Sequence, residues 1–322
     1  MRLIFFAHPN FLSHQSMPRY ATMLAHGMKD RGHDVEIWAP KSFFYKIPGN
    51  RTLKKWLGYI DQYLLFPSNI KARIKEAPES TLFVFTDQAL GPWVPLVHER
   101  HHVIHCHDFL AQRSALGEIP ENSVGWTGKK YQQYIRKGFQ QGKNFISVSK
   151  QTQSELERFL ISPPVTSQVV YNGLNQHFTV GDKEKARLEF SKATKLNLPN
   201  NYILHVGGNH FYKNRLGVLA IYNEWRKNFP GRADLLMIGE KPDSDLNSAY
   251  ENSPFRSSIH MLTGIDDSLL KTAYSGARVL LFPSIAEGFG WPIAEAMASG
   301  TPVITTAEAP MTEVAGGAAL LI

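Results

Sequence analysis

The chain has 322 residues, 43% hydrophobic and 20% charged, which excludes a disordered chain and fits two domains rather than one core. A single cysteine, Cys106, excludes an internal disulfide framework and suits a reducing cytosol; no run of about 18 apolar residues is present to cross a bilayer. The net charge of +7 is uneven, since residues 41–75 hold eight Lys or Arg against the lone acid Asp61.

In chain order, residues 2–7 read as a buried first strand, because MRLIFF is too short an apolar region for a signal peptide. A loop from His8 to about Pro18, a helix over 19–31 and a strand over 35–39 complete the β-loop-α-β opening of a parallel doubly wound unit. The basic segment 41–75 is also aromatic (Phe43, Phe44, Tyr45, Trp56, Tyr59, Tyr63, Phe66). Basic and aromatic residues interleaved in this way favour an anionic membrane surface. The alternative is a helix that packs its aromatic face on its own domain. Nucleic acid is not expected, because no nucleic-acid motif accompanies the charge.

Strands over 81–86 and 103–107 end in Asp87 and in His107-Asp108, at the carboxyl ends where doubly wound sheets place ligands. His105 and His107 share one strand face and Cys106 takes the other, so the His-rich run 101–107 is not expected to bind metal. A strand over 145–149, a helix over 150–159 and a strand over 168–171 close the first domain. The polar stretch 179–195 reads as the crossing to the second.

That domain opens with a strand over 202–206, followed by the glycine pair Gly207-Gly208 and the basic residues Lys213 and Arg215. Strands over 235–239, 259–262, 279–282 and 303–305 continue a parallel sheet, and a helix with Leu269, Leu270 and Ala273 on its apolar face lies between. Asp243-Ser244-Asp245 has the spacing of a metal-binding acidic pair, but it follows Pro242 in a loop with no strand presenting it.

The most informative stretch is 280–305, LLFPSIAEGFGWPIAEAMASGTPVIT. Its strand leads into a turn at Gly288-Phe289-Gly290, then a helix with Pro292 at its start and Gly300 at its stop. Strand, glycine turn and helix N-terminus aim several backbone N–H groups and a positive dipole end at one spot, a phosphate site. Glu287 and Glu295 bracket that spot. Carboxylates accept hydrogen bonds from sugar hydroxyls, and a nucleotide sugar carries hydroxyls on both sides of its phosphates.

EGFGWPIAE followed by AMASGTPVI resembles the signature of the family 4 retaining glycosyltransferases. The resemblance implies a GT-B fold: two Rossmann-like, doubly wound parallel-sheet domains, 1–176 on the acceptor side and 177–322 on the nucleotide-sugar side, facing across a cleft. Relatives usually carry further C-terminal helices that brace the cleft, so the end at Ile322 suggests a truncated or shortened sequence. RGHDVEIW matches the family's second strand, Ser149 its serine at a helix start, and Asn172-Gly173-Leu174-Asn175 the turn closing the first domain. Gln15 to Arg19 stand where many relatives carry Gly-Gly near the donor phosphate.

The reaction so implied is transfer of a hexose, of mannose or glucose type, from a nucleotide diphosphate sugar to a hydroxyl acceptor with retention of configuration. Lys213, with Arg215 as a second cation, the loop at Gly208 and the Phe289 and Gly290 amides would hold the diphosphate without a metal or other cofactor. Glu295 would hold the ribose, Glu287 the donor sugar, and backbone near Ile265 the base. His107 matches the His of the family's HD pair, beside donor sugar and acceptor. No general base is assigned, since the departing phosphate takes the acceptor's proton. The acceptor expected is a lipid-linked or cell-surface glycan, and the location the cytoplasm, peripheral at the inner membrane face. UDP and GDP remain equal choices. A GT-B sugar-nucleotide epimerase and a nucleotide-sugar-binding module without turnover are the competing readings.

Overall fold

The computed structural model describes residues 1–12, 16–174, 176–198, 201–231 and 233–322, with the side chain of Ser16 also left out. Gln15 and Asn175, both singled out above, lie outside the described residues, as does the Ser16 side chain. The chain divides into two compact units, Met1–Tyr171 and Asn172–Ile322.

The first unit is built on six parallel strands, β1 (Arg2–Phe6), β2 (Asp34–Trp38), β3 (Leu82–Phe85), β4 (His102–Cys106), β5 (Asn144–Ser147) and β6 (Thr166–Val169), in the order β2-β1-β3-β4-β5-β6. β1, β3 and β4 are buried nearly throughout, as parallel strands covered on both faces must be. Helix Ser16–Asp30 starts earlier than expected and shortens the loop after β1. The aromatic core gathers behind the sheet, with Phe6 stacked on Phe85 at 4.6 Å and Trp93 against Phe66 at 4.6 Å.

Between β2 and β3 the basic-aromatic segment folds as a 3-10 turn (Phe44–Lys46), helix Arg51–Ile60, a π-helical turn Asp61–Leu65 and helix Phe66–Glu76. Asp61 is buried, and its carboxylate accepts the N–H groups of Phe43, Phe44 and Tyr45 at 3.0, 3.0 and 2.9 Å. The segment divides: part of its aromatic face packs on its own unit, and part is exposed beside basic residues. Phe66 is in the core and Tyr59 stacks on Tyr131 at 5.2 Å. Phe43 and Trp56 are 69% and 54% exposed, in company with exposed Lys41, Lys46, Arg51 and Lys55.

A long 3-10 segment, Gln88–Leu96, packs on helix Trp126–Phe139 at two glycines. A Cβ on Gly138 would stand 2.2 Å from the Gly91 carbonyl oxygen, so only glycine permits this approach.

The second unit holds β7 (Tyr202–Val206), β8 (Asp234–Ile238), β9 (Ile259–Leu262), β10 (Val279–Phe282), β11 (Val303–Thr305) and β12 (Leu320–Leu321), in the order β12-β11-β10-β7-β8-β9, all parallel. One expectation is corrected here. The stretch 179–195 is not a bare crossing: it folds as helix Lys183–Thr194, capped by Asp182, whose side chain accepts the N–H groups of Glu184 and Lys185. Ala186 and Phe190, four apart, form a narrow apolar stripe that drops Phe190 fully into the core. Asp243 likewise serves as an N-cap, accepting from Leu246 N–H at 2.9 Å.

Both strand orders are doubly wound, and each reverses its direction of growth once. In the first sheet this switch lies between β1 and β3, and in the second between β7 and β10. Loops leave a switch point in opposite directions and open a crevice at the strands' carboxyl ends, the usual ligand position.

Candidate active site

The second unit's switch point is where the glycine-rich stretches converge. After β7 the chain passes Gly207 and Gly208 into the 3-10 turn Phe211–Lys213; after β10 it runs through Pro283 to Glu287. Two hydrogen bonds tie these loops together, Ile285 N–H to the Tyr212 carbonyl at 2.9 Å and the Asn214 amide to the Pro283 carbonyl at 3.0 Å. Lys213 Nζ then reaches across to donate to Glu287 Oε1 at 2.8 Å, with the Phe282 ring 5.3 Å and the Tyr212 ring 5.5 Å from the ammonium. Both side chains are largely buried. A pair so desolvated is costly unless something repays it, and an anion beside Lys213 with hydroxyls beside Glu287 would do so.

Gly290 caps helix Trp291–Ala298 at φ +103°, a left-handed conformation that suits glycine, with Pro292 in the first turn. Phe289, just before it, is buried. Glu295 lies about one turn in. Burial raises its carboxyl above the ordinary value, against the Tyr274 hydrogen bond and the charge of Lys213, which both favour the ionised form. Tyr274 donates to Glu295 Oε2 at 2.7 Å and is itself fully buried. Lys213 is therefore the common neighbour of both carboxylates. The Trp291 indole N–H and the Ser284 hydroxyl nearby in sequence are buried without a hydrogen-bond partner.

Arg215 goes elsewhere. Asn214 precedes it in the left-handed region at φ 52° and caps helix Arg215–Asn228. The Arg215 guanidinium donates to Asn209 Oδ1 and, at 3.0 Å, to the Glu240 carbonyl. Burial lowers its pKa against the charges of Asp243 and Glu240. It lines a recess with Asn209, Asp243 and Asp245, so its partners sit on the β7–β8 side of the loop, not at Glu287. Gly208 lies against the Glu240 carboxylate, 3.2 Å from where a Cβ would stand. Ile265 packs on the second unit's core after the left-handed Gly264. Sequence reasoning missed Glu240 and Tyr274, neither of which belongs to a motif.

In the first unit His107 is buried beyond the end of β4. Its Nε2 lies 2.9 Å from the Thr86 carbonyl, which can only accept, so Nε2 carries the proton and Nδ1 is the acceptor of the neutral ring. Burial lowers its pKa against the pull of Asp87 and Thr86. Its ring meets Tyr20 edge-on at 4.5 Å, and the Tyr20 hydroxyl bonds to His105 Nδ1 at 2.9 Å. Burial would raise the Asp87 carboxyl, but the His8 hydrogen bond, with the nearby imidazoles of His8 and His107 and the Ala89 N–H, outweighs it and holds it below its ordinary value. Among the described residues no group of three or more His, Cys, Asp or Glu could hold a metal ion, and no helix is long and apolar enough to cross a membrane.

Comparison with known proteins agrees with this geometry. Residues 17–178 match the profile of Glycosyltransferase Family 4 and residues 186–319 that of Glycosyl transferases group 1. O-antigen chain mannosyltransferase RfbU of Salmonella typhimurium is 32% identical over 143 residues, 43% of this chain and 35% of that protein. O-antigen chain mannosyltransferase B of Escherichia coli is 33% identical over 126 residues, 37% and 32% respectively; the matched segments thus span about a third of these relatives. Sucrose-phosphate synthase from Thermosynechococcus elongatus superposes with a TM-score of 0.72 at 18% identity, covering 100% of this chain and 86% of that one. Anabaena HepE in complex with UDP-glucose gives 0.66 at 15%, covering 97% and 82%. At these identities the structures speak for the fold, which is GT-B.

Proposed function

The chain belongs to glycosyltransferase family 4, and from that premise we propose that it transfers a hexose from a nucleotide diphosphate sugar to a hydroxyl of a glycan or glycolipid acceptor. The observation that carries the reading is the buried Lys213–Glu287 pair at the β7/β10 switch point, set between a glycine loop and a helix N-terminus. The donor's diphosphate takes Lys213, the Phe289 and Gly290 amides and the helix dipole, which stabilise charge as it develops on the departing β-phosphate. No metal is needed for that charge. Lys213 turns from Glu287 toward phosphate, and Glu287 then accepts from donor-sugar hydroxyls. Glu295, held by Tyr274, accepts from the ribose, and Ile265 lies near the base.

His107, with Nδ1 open to a hydroxyl hydrogen, orients rather than deprotonates, because its lowered basicity suits a hydrogen-bond acceptor. The bond from the anomeric carbon to phosphate breaks, the bond to the acceptor oxygen forms on the same face, and the acceptor's proton leaves on the diphosphate. Relatives named as mannosyltransferases support a mannose-type sugar, and a neighbour solved with UDP-glucose supports a nucleotide diphosphate donor. Neither the epimerase nor the binding-module reading is favoured beside these relatives.

The exposed Lys41, Phe43, Lys46, Ile47, Arg51, Leu53, Lys55 and Trp56 support contact with an anionic membrane, where a lipid-linked acceptor would be presented. Sedimentation with anionic vesicles at low salt tests this, and equal binding to neutral vesicles would overturn it. For the donor, calorimetry with UDP, GDP and ADP on the wild type, Lys213→Ala and Glu295→Ala is decisive. One preferred nucleotide weakened in both variants supports the reading; no binding by any of the three refutes it.

A further inference from the structure

The first unit's own switch point also holds a cavity. It measures about 220 Å³ and lies where His8 follows β1 and Asp87 follows β3. Its walls come from four separate stretches of chain, and all of them belong to the first unit. We propose that this cavity is a saccharide subsite that takes one neutral pyranose ring of the acceptor, an inference that rests on the transferase reading above.

The polar groups are those a sugar needs. His8 Nε2 and Asp87 Oδ2 are 2.8 Å apart, and Asp87 Oδ1 accepts the Ala89 N–H at 2.8 Å. A carboxylate offers about four acceptor directions, so Asp87, ionised and nearly buried, can still receive hydroxyl hydrogens. The Tyr63 and Tyr131 hydroxyls are 2.7 Å apart. One of them must donate to the other, which leaves the pair one O–H hydrogen for a ligand along with spare lone pairs. Gln132 spends its Oε1 on the Gln112 amide at 2.8 Å, so its NH₂ end is the donor that remains.

The rest of the lining is apolar. Tyr63 and Tyr131 contribute ring surface, Tyr63 lying against the fully buried Trp93, and the electron-rich face of an aromatic ring attracts the slightly positive C–H bonds of a pyranose. A cavity with apolar walls and a few placed polar groups is the usual form of a small-ligand site. Among the described lining residues there is no lysine or arginine, and the formal negative charge is Asp87. That excludes a phosphate or a uronate as the preferred ligand and selects an uncharged polyol. The space of about 220 Å³ is on the scale of a single sugar ring.

The cavity is built by two unusual pieces of backbone. The π-helical turn supplies both Gln62 and Tyr63, and the Gln62 carbonyl accepts the Trp93 indole N–H at 3.0 Å. π turns recur at functional sites because the extra residue re-aims side chains. The glycine contact between Gly91 and Gly138 brings the segment that carries Trp93 against the helix that carries Tyr131.

The test is saturation-transfer NMR on the intact chain with methyl α-mannopyranoside, α-glucopyranoside, α-galactopyranoside and N-acetylglucosamine, with mannose 6-phosphate as the charged control. At least one neutral hexoside should bind in the millimolar range, with transfer strongest to the C–H protons of one ring face. Tyr131→Phe should weaken it about fivefold, the loss of one hydrogen bond, and Asp87→Asn more, while each variant still binds nucleotide as the wild type does. Transfer to no hexoside, transfer unchanged in both variants, or tighter binding of the phosphorylated sugar would each overturn the subsite. Hexoside binding lost in the variants of a chain that binds no nucleotide would keep the subsite and sink the transferase reading.

Discussion

The two switch points occupy the same place in their sheets and are made of different material. At β7/β10 the site is backbone, glycine and one buried ion pair, delivered by two loops and a helix end that carry their own signature. At β1/β3 it is side chains drawn from four stretches of chain, with Asp87 the formal charge among the described lining residues. The contrast teaches a division of labour: fixed backbone dipoles suit a phosphate that every donor shares, whereas a cavity walled by side chains can be reshaped by substitution to suit one sugar.

Four changes would break or sharpen that contrast. The largest effect is expected from Gly138→Ala, whose Cβ would force helix Trp126–Phe139 away from Gly91. A cost of about 3 kcal/mol in thermal unfolding is expected, with hexoside transfer lost; an unchanged melting temperature would show that the glycine contact does not set the cavity. Lys213→Ala should remove about 2 kcal/mol of nucleotide affinity, the value of a charged hydrogen bond, in calorimetry. Hexoside transfer should stay as it was, and a parallel loss would mean that the two sites are not separable.

Acid should separate the units next. Burial lowers the pKa of His102, of His105 to about 3, and of His107 in the first unit, and of His205 to about 4 in the second. Below about pH 6.5 the unfolded chain binds protons that the native state refuses, so stability falls as pH falls, by up to about 1.4 kcal/mol per pH unit for each such histidine. Limited proteolysis between pH 7 and 5 should therefore nick the first unit before the second, and the reverse order would contradict the assignment. The smallest effect concerns Glu295→Gln. The raised pKa means that the native state binds more protons than the unfolded one, so the carboxylate costs stability at neutral pH. Gln should raise the melting temperature slightly at pH 7, with the gain vanishing in acid, while nucleotide affinity drops.

How much of this was legible in the sequence follows the same division. β7, β9 and β11 are read to the residue because short apolar runs between turn residues leave little choice. Lys213, Glu287 and Glu295 stand in local patterns, and the structure gathers them. The direction of Arg215 was not legible, since the left-handed turn at Asn214, after which its guanidinium reaches the Glu240 carbonyl, has no outward sign. Helix Lys183–Thr194 hid behind polar residues because two apolar positions sufficed to dock it. The His8–Asp87 pair joins residues 79 apart, and the π turn that brings in Tyr63 has no propensity signature, so no window on the sequence contains that cavity.

The Asp61 carboxylate has a further consequence. The amide hydrogens of Phe43, Phe44 and Tyr45 belong to an outward-facing turn, yet each is bound to a carboxylate sealed inside a π-helical turn. They will exchange with solvent deuterium only as fast as that turn opens, on the clock of the interior rather than of the surface. The exposed aromatic edge at Phe43 is thus held in shape by the interior, so that any partner meeting it finds it already ordered.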